Sequence, residues 1–148
     1  MHNTNKKIPS AADHERAERL REVLAALAEV NLVVPVVVEG KRDAAALRKL
    51  GLEGEIIELH RGIGMYEFCE KLAEQFPKIV LLMDWDDKGE QIHGTLAANL
   101  GGHFEGYSPF RGMLKDLCQK DIKDIEGIPR LLERLEGPVI KSYDEQGW

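Results

Sequence analysis

The chain has 148 residues, of which 43% are hydrophobic and 31% are charged, and its formal net charge is −6. This length suits one domain that buries roughly two-thirds of the surface of its unfolded form, and the composition excludes a disordered chain. The negative net charge argues against a protein that coats nucleic acid through a broad basic surface, but it permits an enzyme with a local basic rim.

The hydrophobic pattern predicts a flexible tail at residues 1–9 and then a single domain over residues 10–148. Ser10 and Asp13 resemble a helix start, and apolar residues recur at helical spacing through residues 12–30. Beyond this helix, strands and helices alternate. Strands are predicted at residues 32–38, 55–59, 78–83 and 103–107, and helices at residues 43–50, 64–75, 88–100, 110–118 and 129–136.

Strands separated by single helices predict right-handed crossovers and a parallel sheet that is covered on both faces. The expected class is therefore α/β, with three layers (α/β/α) around a four-stranded parallel sheet, and with added helices at both ends. A strand order of 2-1-3-4 would make the first and third strands neighbours. Pro35 lacks a ladder donor, so the first strand is expected to begin properly only at Val36.

Cysteine spacing and apolar run length limit the compartment. Cys69 and Cys118 stand alone without CxxC spacing, which predicts buried, reduced thiols and not a disulfide or a zinc site. The longest apolar runs, at residues 31–38 and 79–83, are far shorter than the ~20 residues that span a bilayer. No signal-peptide pattern is present at the start. We therefore expect a cytoplasmic protein with no membrane partner.

Acidic residues follow two of the predicted strands. Glu39 comes directly after the first strand, and Asp84 and Asp86 follow the third. In an open parallel sheet, functional groups gather outside the carboxyl ends of the strands, so neighbouring strands would bring these three acids together. Clustered carboxylates repel one another unless a proton or a divalent cation lies between them. Oxygen ligands favour Mg²⁺, with Mn²⁺ as an alternative, and such a site suits phosphoryl transfer.

The two motifs, Glu39-Gly40-Lys41 and Asp84-x-Asp86-x-x-Gly89-Glu90, resemble those of the Toprim domain. The resemblance covers residues 32–109. That domain is shared by topoisomerases, bacterial primases, the ribonuclease that matures 5S ribosomal RNA, and small standalone proteins. The size of this chain looks closest to the ribonuclease and the standalone proteins. Topoisomerase and primase chemistry are not expected, because both need further domains.

The resemblance assigns roles to individual residues. Glu39 matches the Toprim glutamate, a general acid or base and sometimes a metal ligand. Asp84 and Asp86 match the magnesium-binding pair, so these three are the expected catalytic and metal-binding residues. Gly40 and Gly89 match turn glycines.

Further residues are predicted to contact substrate or to support the site. Lys41 is the first candidate for phosphate, and Arg61, Gly62 and Lys88 are further candidates. A basic rim, or alternatively an ordinary solvated face, is predicted for Lys88, Arg111, Lys115, Lys120 and Lys123. Asp43 is expected to stabilise a helix start, as is Asp87 in a capping box with Glu90. Trp85 is predicted either to stack on a base or to pack under the following helix.

Three functions remain open at this point. The leading hypothesis is a magnesium-dependent nuclease or nucleotidyl-transfer enzyme that acts on RNA more than on DNA. The second is a non-catalytic, metal-dependent subunit that binds nucleic acid or a nucleotide inside a larger protein complex. The third is a phosphorylation receiver, which would also need a fifth strand ending in lysine.

Overall fold

The computed structural model describes residues 8–59 and 62–138, which form an α/β fold. Its helices are α1 (Ala11–Asn31), α2 (Lys41–Lys49), α3 (Met65–Gln75), α4 (Asp87–Leu100), α5 (Ser108–Cys118) and α6 (Ile128–Glu136). Its strands are β1 (Val36–Val38), β2 (Ile56–Glu58) and β3 (Val80–Leu81). Every predicted helix is therefore present, with bounds shifted by one or two residues.

The strands form a parallel sheet in the order β2-β1-β3. Val37 in the central strand lies opposite Ile57 on one side and Leu81 on the other. The first and third strands are thus neighbours, as the sequence predicted. Pro35 precedes β1, and its carbonyl accepts a hydrogen bond from the Val80 N–H at 3.0 Å. Proline can hold this position because the sheet uses its acceptor and does not need a donor there.

The predicted fourth strand is wrong. Residues 103–107 lie in two 3₁₀ turns, Gly101–His103 and Glu105–Tyr107, so within the described ranges the sheet has three strands. Gly101 ends α4 with a φ of 45°, a conformation that turns the chain away from an extended path. The His103 carbonyl still accepts a hydrogen bond from the Ile79 N–H at 2.9 Å. This segment therefore covers the edge of the sheet without extending it.

Two hydrophobic cores lie on opposite faces of the sheet. Val36 and Val38 of β1 point into the larger core, which α1, α2, α5 and α6 cover. Val37 points into the smaller core, which α3 and α4 cover. This alternation within an entirely buried strand produces the predicted three layers.

Helix α1 packs on the larger core next to α6, the last described helix of the chain. Ser10 and Asp13 form a capping box at its start, as predicted. Leu20, Leu24 and Leu27 are buried in the larger core. On its outer side, the Arg21 guanidinium donates to both carboxylate oxygens of Glu136, at 2.7 and 2.9 Å. Both ends of the described chain therefore stabilise the same layer.

The cysteines agree with the prediction of reduced, buried thiols. Cys69 and Cys118 are both free and buried, one in each core. Burial raises the pKa of Cys118 to about 12, so its thiol stays protonated. None of the helices in the described parts of the chain has the length and apolar character needed to cross a membrane.

Candidate functional site

The carboxyl ends of β1 and β3 bring two of the predicted acids into contact. Glu39 follows β1 directly, and Asp84 follows β3 after two further residues. The backbone N–H of Asp84 donates a hydrogen bond to the Glu39 carboxylate oxygen Oε2 at 2.9 Å. Residues that are 45 positions apart in the chain thus meet at one edge of the sheet, because parallel neighbouring strands end on the same side.

Asp86 caps helix α4 beside this contact. Its carboxylate oxygen Oδ1 accepts a hydrogen bond from the Gly89 N–H at 2.6 Å. The prediction that Asp87 is the cap is wrong, since Asp87 is the first residue of the helix and is exposed. Glu90 forms no capping box, because its carboxylate is held by Arg111 and Lys115. Asp86 therefore lies at the positive end of the helix dipole.

Gly89 lets the start of α4 pack against the end of β3. A Cβ atom at this position would lie 2.2 Å from the Asp84 carbonyl oxygen, which is far closer than any real contact. The absence of a side chain is thus a requirement of packing. Gly40, the other predicted turn glycine, has an extended φ of −156° and open space around its Cα. Its N–H donates to the Asp43 carboxylate at 3.2 Å.

Asp43 supports the start of α2, as predicted, and it is also part of the acidic cluster. It is only 7% exposed. Burial raises its pKa to about 6, and the negative charges of Glu39, Asp124 and Glu126 add to this effect. The hydrogen bond from Gly40 acts in the opposite direction but does not outweigh burial.

Asp84 is the most perturbed acid of the site. Its oxygen Oδ1 accepts a hydrogen bond from the Ile125 N–H at 2.9 Å. Its pKa is raised to about 7, mainly by burial; the hydrogen bond from Ile125 lowers it, and the nearby charges of Asp43, Glu39 and Asp124 act in the same direction as burial. A carboxyl group with such a pKa is half-protonated near neutral pH, which is typical of functional sites.

The segment between α5 and α6 completes the site, although no sequence pattern predicted its place there. Besides the Ile125 contact, the backbone N–H of Trp85 donates to the Lys123 carbonyl at 2.9 Å. The indole N–H of Trp85 donates to the Ile122 carbonyl at 2.8 Å. Trp85 is only 6% exposed in the larger core, so it neither stacks on a base nor packs under α4. The segment also places two further acids, Asp124 and Glu126, near Asp43. Their position on either side of the buried Ile125 is the sequence feature that could have indicated a structured acidic segment.

Arg111 fixes the backbone at the end of β3, contrary to its predicted place on a basic rim. It is 7% exposed, and its guanidinium donates to the Met83 carbonyl at 2.8 Å and to the Asp84 carbonyl at 2.7 Å. A third hydrogen bond of 3.0 Å reaches Glu90, which also binds Lys115. The planar, forked guanidinium suits this bridge better than a lysine would. Arg111 therefore positions Asp84 through its backbone carbonyl and not through its carboxylate.

Three of the four predicted phosphate-binding residues are described by the structure, and they follow the carboxyl ends of the strands, as the acids do. Lys41 is the first residue of α2 and Lys88 the second residue of α4, and both are exposed. Gly62 lies in the loop before α3, and Arg61 lies outside the described residues. The assignment of these four to substrate stays a prediction.

Comparison with known proteins identifies the family. Residues 34–126 match the Toprim domain. The chain belongs to the Toprim family. It is 35% identical to a UPF0292 protein of Methanosarcina barkeri over 127 residues, 82% of this chain and 85% of that protein. It is 39% identical to a UPF0292 protein of Thermococcus sibiricus over 127 residues, 82% of this chain and 94% of that protein. No solved structure matches the chain.

The Toprim match extends beyond the span that the motifs predicted, which ended at residue 109. Its end at residue 126 includes the α5–α6 segment that contacts Asp84. Toprim domains typically bind divalent metal and act in nucleic-acid chemistry. Family membership therefore associates this chain with metal-dependent functions on nucleic acid.

The donor set of this Toprim site fits a hard divalent cation that keeps most of its water. Glu39, Asp84 and Asp86 each use one oxygen for a backbone N–H and form no ion pair with the described lysines and arginines. Within residues 8–59 and 62–138, however, no three His, Cys, Asp or Glu side chains lie close enough to hold a metal ion. Mg²⁺ commonly binds through one or two carboxylates and several waters, which these positions permit.

The raised pKa of Asp84 predicts a pH-dependent stability in the absence of metal. A carboxyl whose folded pKa exceeds its unfolded value of 3.8 stabilises the folded state at low pH, and this contribution is lost as the pH rises through about 7. Asp84→Asn should therefore gain stability relative to the wild type between about pH 4 and pH 7, by ~1 kcal/mol after allowing for solvent screening. Thermal unfolding of both proteins in EDTA measures this difference.

The comparison of variant with wild type removes the opposite effect of His93, whose pKa is lowered mainly by burial. A constant stability difference across this pH range would show that Asp84 titrates normally.

Proposed function

We propose that this Toprim protein carries out Mg²⁺-dependent phosphodiester chemistry on nucleic acid, as an RNA-processing nuclease or nucleotidyl-transfer enzyme. The proposal is supported chiefly by the contact of 2.9 Å between Glu39 and the backbone of Asp84. This contact joins the two family motifs at one edge of the sheet. None of the described lysines and arginines forms an ion pair with Glu39, Asp84 or Asp86, and a divalent cation would supply the missing positive charge.

In this proposal Asp84 and Asp86 hold the metal, and Glu39 acts as general acid or base or as a further ligand. The cation would stabilise the negative charge that develops on the phosphate and on the leaving oxygen. Glu39 is fixed by the Asp84 N–H through one oxygen, which leaves the other oxygen to accept or donate a proton. Arg111 holds the Asp84 carbonyl, and so keeps the Asp84 backbone in place while Glu39 accepts or donates the proton.

Substrate phosphates would be bound by the residues that surround the acids. Lys41 and Lys88 are exposed at the starts of α2 and α4, where the helix dipoles add to their positive charge. Arg61 and Gly62 follow β2 and complete the proposed set. Mn²⁺ is expected to replace Mg²⁺, since both prefer oxygen ligands.

A cleavage assay tests the proposed chemistry. The purified protein is incubated with labelled structured RNA, with the DNA of the same sequence and with a single-stranded RNA, each in Mg²⁺, Mn²⁺ or EDTA. We expect cleavage or transfer on RNA in either metal and none in EDTA, because the acids repel phosphate when no cation is bound. Activity that persists in EDTA would contradict a metal-dependent reaction.

A non-catalytic subunit remains the second candidate. The observation in its favour is that the described acids do not form a ready three-ligand cage. Metal-dependent binding of RNA without any turnover would support it over an enzyme. The receiver hypothesis gains no comparable support, because the described part of the sheet has three strands and no fifth strand to carry a lysine.

A further inference from the structure

A groove runs between α2 and α6 and opens next to the acidic site. Its volume is about 880 Å³, which lies within the usual range for ligand-binding pockets. One wall is a stripe of α2 with the spacing of a single helix face: Arg42, Ala45, Ala46 and Lys49. The two alanines keep the wall open between two cationic side chains. The groove is therefore shaped by small residues and bordered by long, charged ones.

The opposite wall is a face of α6, and it too carries cations. Arg130 and Arg134 are one helical turn apart on this face and are both exposed. Arg134 shares Asp121 with Arg16, each at 2.7 Å, so that acid is neutralised twice. Lys49 and Arg130 form no ion pair with any described residue. These two cations, one on each wall, are available to an anionic ligand.

Of the four described acids that line the groove, two lie beside the candidate site, Asp124 and Glu126. Glu126 lies 3.9 Å from Arg42 and is partly neutralised by it. Asp124 accepts a hydrogen bond from the Gly127 N–H at 2.9 Å and adds to the charge around Asp84. Glu133 is the exposed exception on α6. The groove is thus acidic where a cation would bind and carries accessible cations further along.

The groove is also joined physically to the site. Arg42 follows Glu39 by three residues, and Asp124 precedes Ile125, whose N–H holds Asp84 at 2.9 Å. Ile122, another lining residue, accepts the indole hydrogen bond of Trp85. A chain lying in the groove would therefore reach the acidic edge of the sheet without crossing another element.

We infer that this groove binds the sugar–phosphate backbone of a short single-stranded RNA segment and directs it to the acidic site. The inference rests on the proposed function and adds its substrate path. Phosphates would contact Lys49 and Arg130, and Arg134 would contribute a weaker contact because it is shared with Asp121. No aromatic side chain lines the described groove, so base stacking contributes nothing and binding depends on charge, not on sequence.

A charge-reversal pair tests the groove directly. Binding of a fluorescently labelled 12-nucleotide single-stranded RNA is followed by anisotropy in Ca²⁺ over a series of NaCl concentrations, with the RNA checked for cleavage by gel. We expect the double variant Lys49→Glu, Arg130→Glu to bind at least ~10-fold more weakly than the wild type. Its salt dependence should be shallower by about 0.7 for each lost phosphate contact.

The matched control reverses two exposed lysines elsewhere, in the double variant Lys71→Glu, Lys78→Glu. Lys71 lies on α3, on the other face of the sheet, and Lys78 precedes β3 at the opposite edge. This control should bind within about twofold of the wild type, since it changes the net charge equally without touching the groove. Circular dichroism checks that both double variants are folded.

The outcomes separate this inference from the proposed function. Wild-type affinity and salt dependence in the groove variant, or equal losses in both variants, would overturn the groove. So would a wild-type protein that does not bind the RNA at all. If the groove variant binds RNA like the wild type and still cleaves it in a metal-dependent reaction, the groove is excluded but the proposed chemistry stands. Groove-dependent binding without cleavage in any divalent metal would instead remove the chemistry and keep the groove.

Discussion

Asp86→Asn is expected to reduce metal-dependent RNA cleavage at least ~100-fold, because it removes a charge that would hold the cation in the transition state. The substitution is nearly isosteric, and asparagine is as good a helix cap as aspartate. The hydrogen bond from the Gly89 N–H can therefore persist, and α4 should keep its start. Single-turnover cleavage rates at saturating protein measure the effect. Asp84→Asn should cause a similar loss.

Asp87 provides the control for this experiment. It is the neighbouring acid, it is exposed, and it is the first residue of the same helix. Asp87→Asn changes the same charge on the same turn, but it should leave the rate within about threefold of the wild type. Equal losses in both variants would indicate a general electrostatic effect. Full activity in Asp84→Asn and Asp86→Asn, with RNA still bound, would exclude the proposed metal ligands.

Gly89→Ala is expected to destabilise the protein by at least ~2 kcal/mol, because the new Cβ would overlap the backbone at the end of β3. The atom in its way is the Asp84 carbonyl oxygen, at 2.2 Å, which Arg111 also holds. Neither side can move without breaking the packing of α4 on the sheet. Urea unfolding, followed by circular dichroism, measures the loss.

Gly94→Ala is the matched comparison within the same helix. A Cβ at Gly94 has open space around it, and the residue is exposed. Alanine should therefore stabilise α4 by about 0.5–1 kcal/mol through its better helix propensity. Opposite signs for the two glycines are the expected result. A mild effect at both positions would mean that α4 can shift away from Asp84.

The sequence predicted the parts of this fold that depend on local pattern. Buried strands without alternation indicated a parallel sheet covered on both faces, and β1 and β3 are neighbours in it. The acids that follow these strands were recognised as a pair for the same reason. Glu39 and Asp84 meet because β1 and β3 are parallel neighbours, so their carboxyl ends lie side by side at one edge of the sheet.

The missed parts depend on tertiary contacts that no local pattern encodes. Phe104 and Tyr107 suit a strand, but the preceding glycines and the turn at Gly101 direct this segment into 3₁₀ turns. Arg111 reads as a surface cation on an amphipathic helix, and only packing reveals that it holds two carbonyls of β3. The hydrogen bond from Ile125 to Asp84 spans 41 residues, so its acidic neighbours could not be placed from sequence.

Helix α1 lies outside residues 34–126, which match the Toprim domain, yet its Leu20, Leu24 and Leu27 are buried in a core shared with that region. A fragment trimmed to residues 34–126 would lose both α1 and α6, and it would expose a broad hydrophobic surface of the larger core to water. The span that matches the Toprim domain is thus smaller than the hydrophobic unit that folds.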